Sequence, residues 1–112
     1  MDKRHLQVGE LIKRTLGCMQ AEGKFDFITS DLFSINEVRT SKGYENAVVY
    51  VSAIDPSRTA AVVEALGQHA GKVRHELALS SDMRTTPLLV FKADEAEERA
   101  ARIDALLEKE GA

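Results

Sequence analysis

The sequence predicts an α+β domain, a three-stranded sheet with helices packed on one face, and three observations predict it. Apolar residues recur first at spacings of three and four, then alternate, then return to helical spacing before a last short strand and helix, so the order reads α-β-β-α-α-β with an added C-terminal helix. The two alternating stretches are separated only by Ser41, Lys42 and Gly43, which makes them a β-hairpin. A chain of 112 residues, 44% hydrophobic and 29% charged, has room for one small core, so residues 1–112 are expected to form a single domain.

The elements follow in order. Val8, Leu11, Ile12, Thr15, Leu16 and Met19 form one apolar stripe, with Lys3, Arg4, Gln7, Glu10, Lys13 and Arg14 between them, as in a helix with one buried side and a partly basic outer side. AEGKFDF, residues 21–27, breaks that pattern and reads as a loop. FSINEVRT (33–40) pairs with YENAVVYVS (44–52), where Ala47, Val49 and Val51 alternate with Val48 and Tyr50, and Gly43 permits the turn. Asp55, Pro56 and Ser57 signal a helix start, and Ala60, Val63 and Leu66 or Gly67 are expected to share its buried face. The next helix, GKVRHELALSSDM, carries Val73, Leu77 and, less regularly, Ala78 on its apolar side. RTTPLLVF is a short strand with its proline at the start, where a missing N–H costs least. The final segment, 94–110, is predicted to be an acidic helix with Ala96, Ala100, Ile103, Leu106 and Leu107 on its apolar side.

Composition excludes several classes. The longest apolar runs are far shorter than the roughly 20 residues of a membrane span. The charged N-terminus lacks a signal-peptide apolar region, and one cysteine, Cys18, leaves no internal disulfide or cysteine-cluster metal site. A cytoplasmic setting is expected, with Cys18 as a small buried hydrophobe. His5, His69 and His75 lack metal-ligand spacing, and no cofactor is expected. No phosphate-cradling glycine loop or nucleophile elbow is present, and no Ser, His and Asp set stands at recognisable spacing, so the chain reads as non-catalytic. The net charge of −3 argues against indiscriminate coating of nucleic acid. Its distribution is uneven: residues 94–110 sum to −4, leaving +1 on residues 1–93.

Bases therefore define the candidate site. In HAGKVRHELA, residues 69–78, a glycine interrupts what would otherwise be continuous helix and is followed by Lys72 and Arg74. A helix starting at Gly71 would aim its free N–H groups and positive dipole end outward, with both bases adding full charge, which suits a phosphate. Lys3, Arg4, Lys13 and Arg14 on the first helix, Arg39 and Lys42 flanking the hairpin turn, and Arg84 before the third strand are further candidates. For each the competing explanation is an ordinary solvated charge.

The order α-β-β-α-α-β is that of the type II KH domain, a single-stranded RNA-binding fold. The chain has no GXXG loop, since GQHAG at 67–71 is one residue too long. SINEVRTSKGYENAVVYVS, HAGKVRHELA, TTPLLVFKAD and ARIDALL, in this order and spacing, resemble the ribosome-binding factor A family of bacterial small-subunit assembly factors over nearly the whole chain. The resemblance implies an Ala-x-Gly kink between the central helices, with its glycine on Gly71 and its alanine position taken by His69. It further implies a monomer that binds the immature small ribosomal subunit through 16S rRNA near the decoding region and assists rRNA maturation. Assembly GTPases and initiation factor 3 are the implied functional neighbours. The alternative from another class is a protein-interaction module of the same fold, whose acidic last helix binds a basic ribosomal protein without RNA contact.

Overall fold

The structure, a computed structural model, describes residues 3–81, 83 and 85–94, with side-chain surroundings from residue 7 onward. Helix α1 (Lys3–Ala21) leads into strands β1 (Phe33–Thr40) and β2 (Asn46–Ala53). A 3-10 turn (Pro56–Arg58), helix α2 (Thr59–Gln68), helix α3 (Ala70–Ser80) and strand β3 (Leu88–Ala93) follow. The predicted α+β order is realised. The acidic helix predicted for 94–110 lies outside the described residues from 95 onward.

Strand β2 is the centre of the sheet, antiparallel to β1 and parallel to β3. Its alternation sends Ala47, Val49 and Val51 inward, where all three are fully buried, while Val48 and Tyr50 face the other side and are half-buried. The register places Val38 and Phe91 on either side of Val49, so the inward residues of three strands form one apolar floor. Helix α1 covers β1, and α2 and α3 cover β3. Ile12, Leu16, Val62, Leu66 and Leu77 seal the layer between helices and sheet, each with no accessible surface.

Helix α1 comes unusually close to its strand. A Cβ placed on Gly9 would stand 2.6 Å from the Val38 carbonyl oxygen, so only glycine lets the helix backbone settle there. In the hairpin turn Gly43 has φ 86°, as its glycine implied, and Tyr44 is also left-handed at φ 62°. Ser41 fastens this turn: its carbonyl accepts the Tyr44 N–H at 2.9 Å and its hydroxyl accepts the Asn46 N–H at 3.0 Å.

A bulge between Ile35 and Glu37 leaves Asn36 out of the ladder. Its amide then donates to the Ser52 hydroxyl at 3.0 Å and to the Asp94 carboxylate at 2.8 Å, while its carbonyl accepts from Ser34 at 2.8 Å. One polar side chain thereby joins β1 and β2 to the residue that follows β3.

Three expectations are corrected. The buried residues of α2 are Thr59, Val62 and Leu66, with Ala60 exposed and Val63 only partly buried against the core, and Ala78 of α3 is exposed. Cys18 is exposed, since it stands between the buried stripe positions Leu16 and Met19 on the far side of α1. The loop before β1 is tied down by Arg58, whose Nε and Nη2 donate to Asp31 at 3.0 to 3.2 Å and hold that carboxyl below its ordinary value.

The contact at Gly9 gives a direct test. Alanine in a helix is favoured over glycine by about 1 kcal/mol. A backbone carbonyl cannot rotate away from the added methyl, and overpacking costs about 1–3 kcal/mol. Gly9→Ala is therefore expected to lower the urea unfolding midpoint without changing the slope of the transition.

Candidate nucleic-acid interface

The break between α2 and α3 falls at His69, whose backbone (φ −109°, ψ 16°) leaves the helical region. Its N–H reaches back to the Leu66 carbonyl at 3.2 Å, and its Nδ1 lies 3.0 Å from the Ala65 carbonyl oxygen, so the imidazole closes the end of α2. Helix α3 starts at once, the Val73 N–H bonding to the His69 carbonyl at 3.0 Å. This corrects the role expected of Gly71. The glycine sits in the first turn of α3, and a Cβ there would meet nothing within 4 Å. The bend is made at His69, and Gly71 instead leaves bare backbone at an exposed helix start.

Residues 22–28 fold against this junction as a run of tight turns, with Lys24 N–H bonded to the Met19 carbonyl and Ile28 N–H to the Phe25 carbonyl. Phe25 anchors the run in the core, edge-on to Phe33 with ring centroids 5.7 Å apart, and Ile28 packs partly against the same core. Phe27, between them, is turned outward and is 56% exposed. Its ring meets His69 edge-to-face at 5.7 Å, and the Lys72 ammonium stands 4.9 Å from its centroid. Lys24 crosses to Glu76 of α3 at 3.1 Å and also approaches Glu22 at 3.9 Å. Gly23, Lys24, Asp26, Phe27, Lys72 and Glu76 enclose an open hollow of about 410 Å³.

The bases proposed from sequence do not converge. Lys72 is exposed at the junction and makes no ion pair among the described residues. Arg74 turns the other way: its Nε donates to the Thr86 and Pro87 carbonyls at 3.1 and 3.2 Å, and its Nη2 to Thr86 at 2.8 Å. Arg39 pairs with Glu37 at 2.9 Å and lies 5.9 Å from the Tyr50 ring centroid, on the outer side of the sheet. Lys42 is exposed in the hairpin turn, at the opposite end of β1 from the Phe33 end where the Phe25 loop is anchored. Lys13 and Arg14 line a second hollow with Gln20, Phe33 and Ile35, between α1 and the edge strand β1. A third hollow shares Gln20 and Phe33 with it and Asp26 with the one at Phe27, and its charged lining is acidic, Asp26 and Asp31. The side chains of Lys3 and Arg4, and the whole of Arg84, lie outside the described residues. Among the described residues no group of three or more His, Cys, Asp and Glu is placed to hold a metal ion, and no helix is long and apolar enough to cross a membrane.

Sequence reasoning missed Phe27 because a loop aromatic carries no periodic signal. The available clue was the pair of phenylalanines two apart in FDF: with Phe25 packed inward, its neighbour two residues on had no core left to enter.

Comparison with known proteins decides the family. The profile described as Ribosome-binding factor A matches residues 4–107. The chain belongs to the ribosome-binding factor A family. It is similar to ribosome-binding factor A of Afipia carboxidovorans, 34% identical over 94% of this chain and 76% of that protein. It is also similar to the Brucella suis protein of the same name, 31% identical over 96% of this chain and 73% of that protein. Among solved structures, the crystal structure of ribosome-binding factor A from Thermus thermophilus superposes with a TM-score of 0.64 at 27% identity, covering 83% of this chain and 97% of that one. The solution structure of a putative ribosome binding factor A from Thermotoga maritima superposes with a TM-score of 0.66 at 24% identity, over 84% and 90% of the two chains, and supports the KH-like fold.

Within this ribosome-binding factor A domain, Gly71 and Arg74 should respond oppositely to alanine. Gly71→Ala meets no obstacle and is expected to leave the melting temperature unchanged or raise it, by up to about 1 kcal/mol of added stability. Arg74→Ala removes three charge-assisted hydrogen bonds to half-buried backbone and is expected to lower stability by about 1–3 kcal/mol. Thermal melts of the two variants beside the parent chain check both directions.

Proposed function

We propose that the chain is a non-catalytic factor that binds the ribosome, specifically the immature small subunit through its 16S rRNA, and assists maturation and processing of that rRNA. The observation that carries this reading is the junction at His69 in a member of the ribosome-binding factor A family, where an exposed start of α3 presents bare backbone at Gly71 beside Lys72, which makes no ion pair among the described residues. The first N–H groups of a helix have no intrahelical acceptor, so a phosphate there meets donors, a positive dipole end and a full positive charge together.

The other bases then take distinct parts. Lys13 and Arg14 offer a second phosphate contact at the hollow between α1 and β1. Arg39 and Lys42 meet a separate stretch of backbone at the hairpin end, and Lys3, Arg4 and Arg84 add further positive charge. Arg74 supports the site by fixing the first turns of α3 to the start of β3, rather than by touching phosphate. The factor acts as a cytoplasmic monomer whose timing is linked to assembly GTPases and initiation factor 3.

Each phosphate neutralised releases counterions, so affinity should fall steeply with salt. Co-sedimentation with small subunits across a salt series is expected to show that dependence, and binding is expected to persist on rRNA stripped of protein. Lys72→Gln should reduce the slope of log affinity against log salt by about one. Salt-insensitive association, or equal binding to large subunits, would overturn the proposal. Loss of binding when the ribosomal proteins are stripped would favour a protein partner.

A further inference from the structure

We infer that Phe27 is a stacking platform for an unpaired nucleobase, with Lys72 as the cation that meets the adjoining phosphate. The inference deepens the rRNA-binding reading and rests on it.

The chain holds four phenylalanines. Phe25, Phe33 and Phe91 are 3%, 7% and 8% exposed, whereas Phe27 is 56% exposed. The backbone turns that carry Phe27 are hydrogen-bonded at both ends, and Phe25 and Ile28 pin them to the core on either side. The ring is therefore held outward. A preorganised aromatic loses little freedom when a partner stacks on it, which is the condition for such a contact to contribute to affinity.

The surroundings select the partner. Two cations, Lys24 and Lys72, and two carboxylates, Asp26 and Glu76, line the hollow at Phe27, so it is nearly neutral and is no phosphate pocket by itself. Lys24 is already engaged by Glu76 at 3.1 Å. A purely apolar side chain of a protein partner would strand these charges, and a basic side chain stacking on Phe27 would meet Lys72, which already stands 4.9 Å from the ring centroid. A nucleobase fits both demands. Its face is apolar and its edge carries amino and carbonyl groups that can bond Asp26 or an ammonium. Its phosphate, one sugar away, is anionic and suits Lys72, whose α3 start is bare at Gly71. Base stacking tolerates any base because every base has a π-face, so the platform would select single-stranded over paired RNA rather than one sequence over another.

The chain contains no tryptophan, so Phe27→Trp introduces a single indole at the platform, which can be excited selectively over Tyr44 and Tyr50. The expected results are quenching of its emission by a short single-stranded oligoadenylate and by small subunits, little quenching by a fully paired RNA of the same length, and affinity equal to or above that of the parent. Phe27→Leu keeps an apolar side chain at an exposed position and should retain the parent's melting temperature. It should weaken binding to small subunits on the order of tenfold. Its salt slope should stay unchanged, because a stacked base releases no counterion. Binding of Phe27→Leu with parental affinity, or no change in the emission of the introduced indole on saturation with small subunits, overturns the platform while the parent's salt-dependent binding leaves the rRNA reading standing. Quenching by a basic peptide and not by RNA also overturns it, in favour of a protein partner. Absence of any RNA binding by the parent overturns both.

Discussion

Every other contact in this domain is arranged around the two-residue alternation of β2. Ala47, Val49 and Val51 are wholly buried in the one strand that is paired on both sides, so a slip of one residue would expose all three and bring Val48 and Tyr50 beneath the helices. Fixing that register fixes β1 through the hairpin and β3 through the parallel ladder. It also sets which side of the sheet α1, α2 and α3 must cover. The absence of a Cβ at Gly9 permits close approach of α1 to β1, while Leu66 and Leu77 are fully buried between helices and sheet.

The junction between α2 and α3 keeps one face buried on both sides of the break. Val62, Leu66, Val73 and Leu77 stand four, seven and four residues apart and lie within about 60° of one another around a helix axis. His69 supplies the break and satisfies it locally, through its own N–H and its imidazole at the end of α2. Arg74 then ties the new helix to the strand it precedes. The proposed interface lies outside these packed contacts: an exposed helix start at Gly71 and Lys72, against which the loop carrying Phe27 is held by Phe25 from one side and by the Lys24 to Glu76 pair from the other.

Polar contacts away from the junction hold the strand ends. Ser52 and Asp94 are the partners of Asn36 at the β1 bulge, and Pro87 and Thr86 supply the carbonyls that Arg74 grips. These contacts hold strand ends together. The surface they support is contributed by other residues.

Periodicity by itself determined the element order, the hairpin at Ser41 to Gly43 and the inward residues of β2, because spacing along a regular element is a local property of the chain. It also marked the neighbourhood of Gly71 as a break in helix. Phase and direction were decided only by the tertiary structure. In α2 it is Val62 and not Val63 that the sheet buries fully, and Cys18 fell just outside the stripe of α1. Arg74 and Lys72 look alike in sequence, two residues apart, yet two residues on a helix is about 200° of rotation. One therefore faces the carbonyls before β3 while the other faces solvent and Phe27. Phe27 belongs to the same class: a loop has no period, and whether its aromatic is buried or presented depends on what the fold has already placed beneath it.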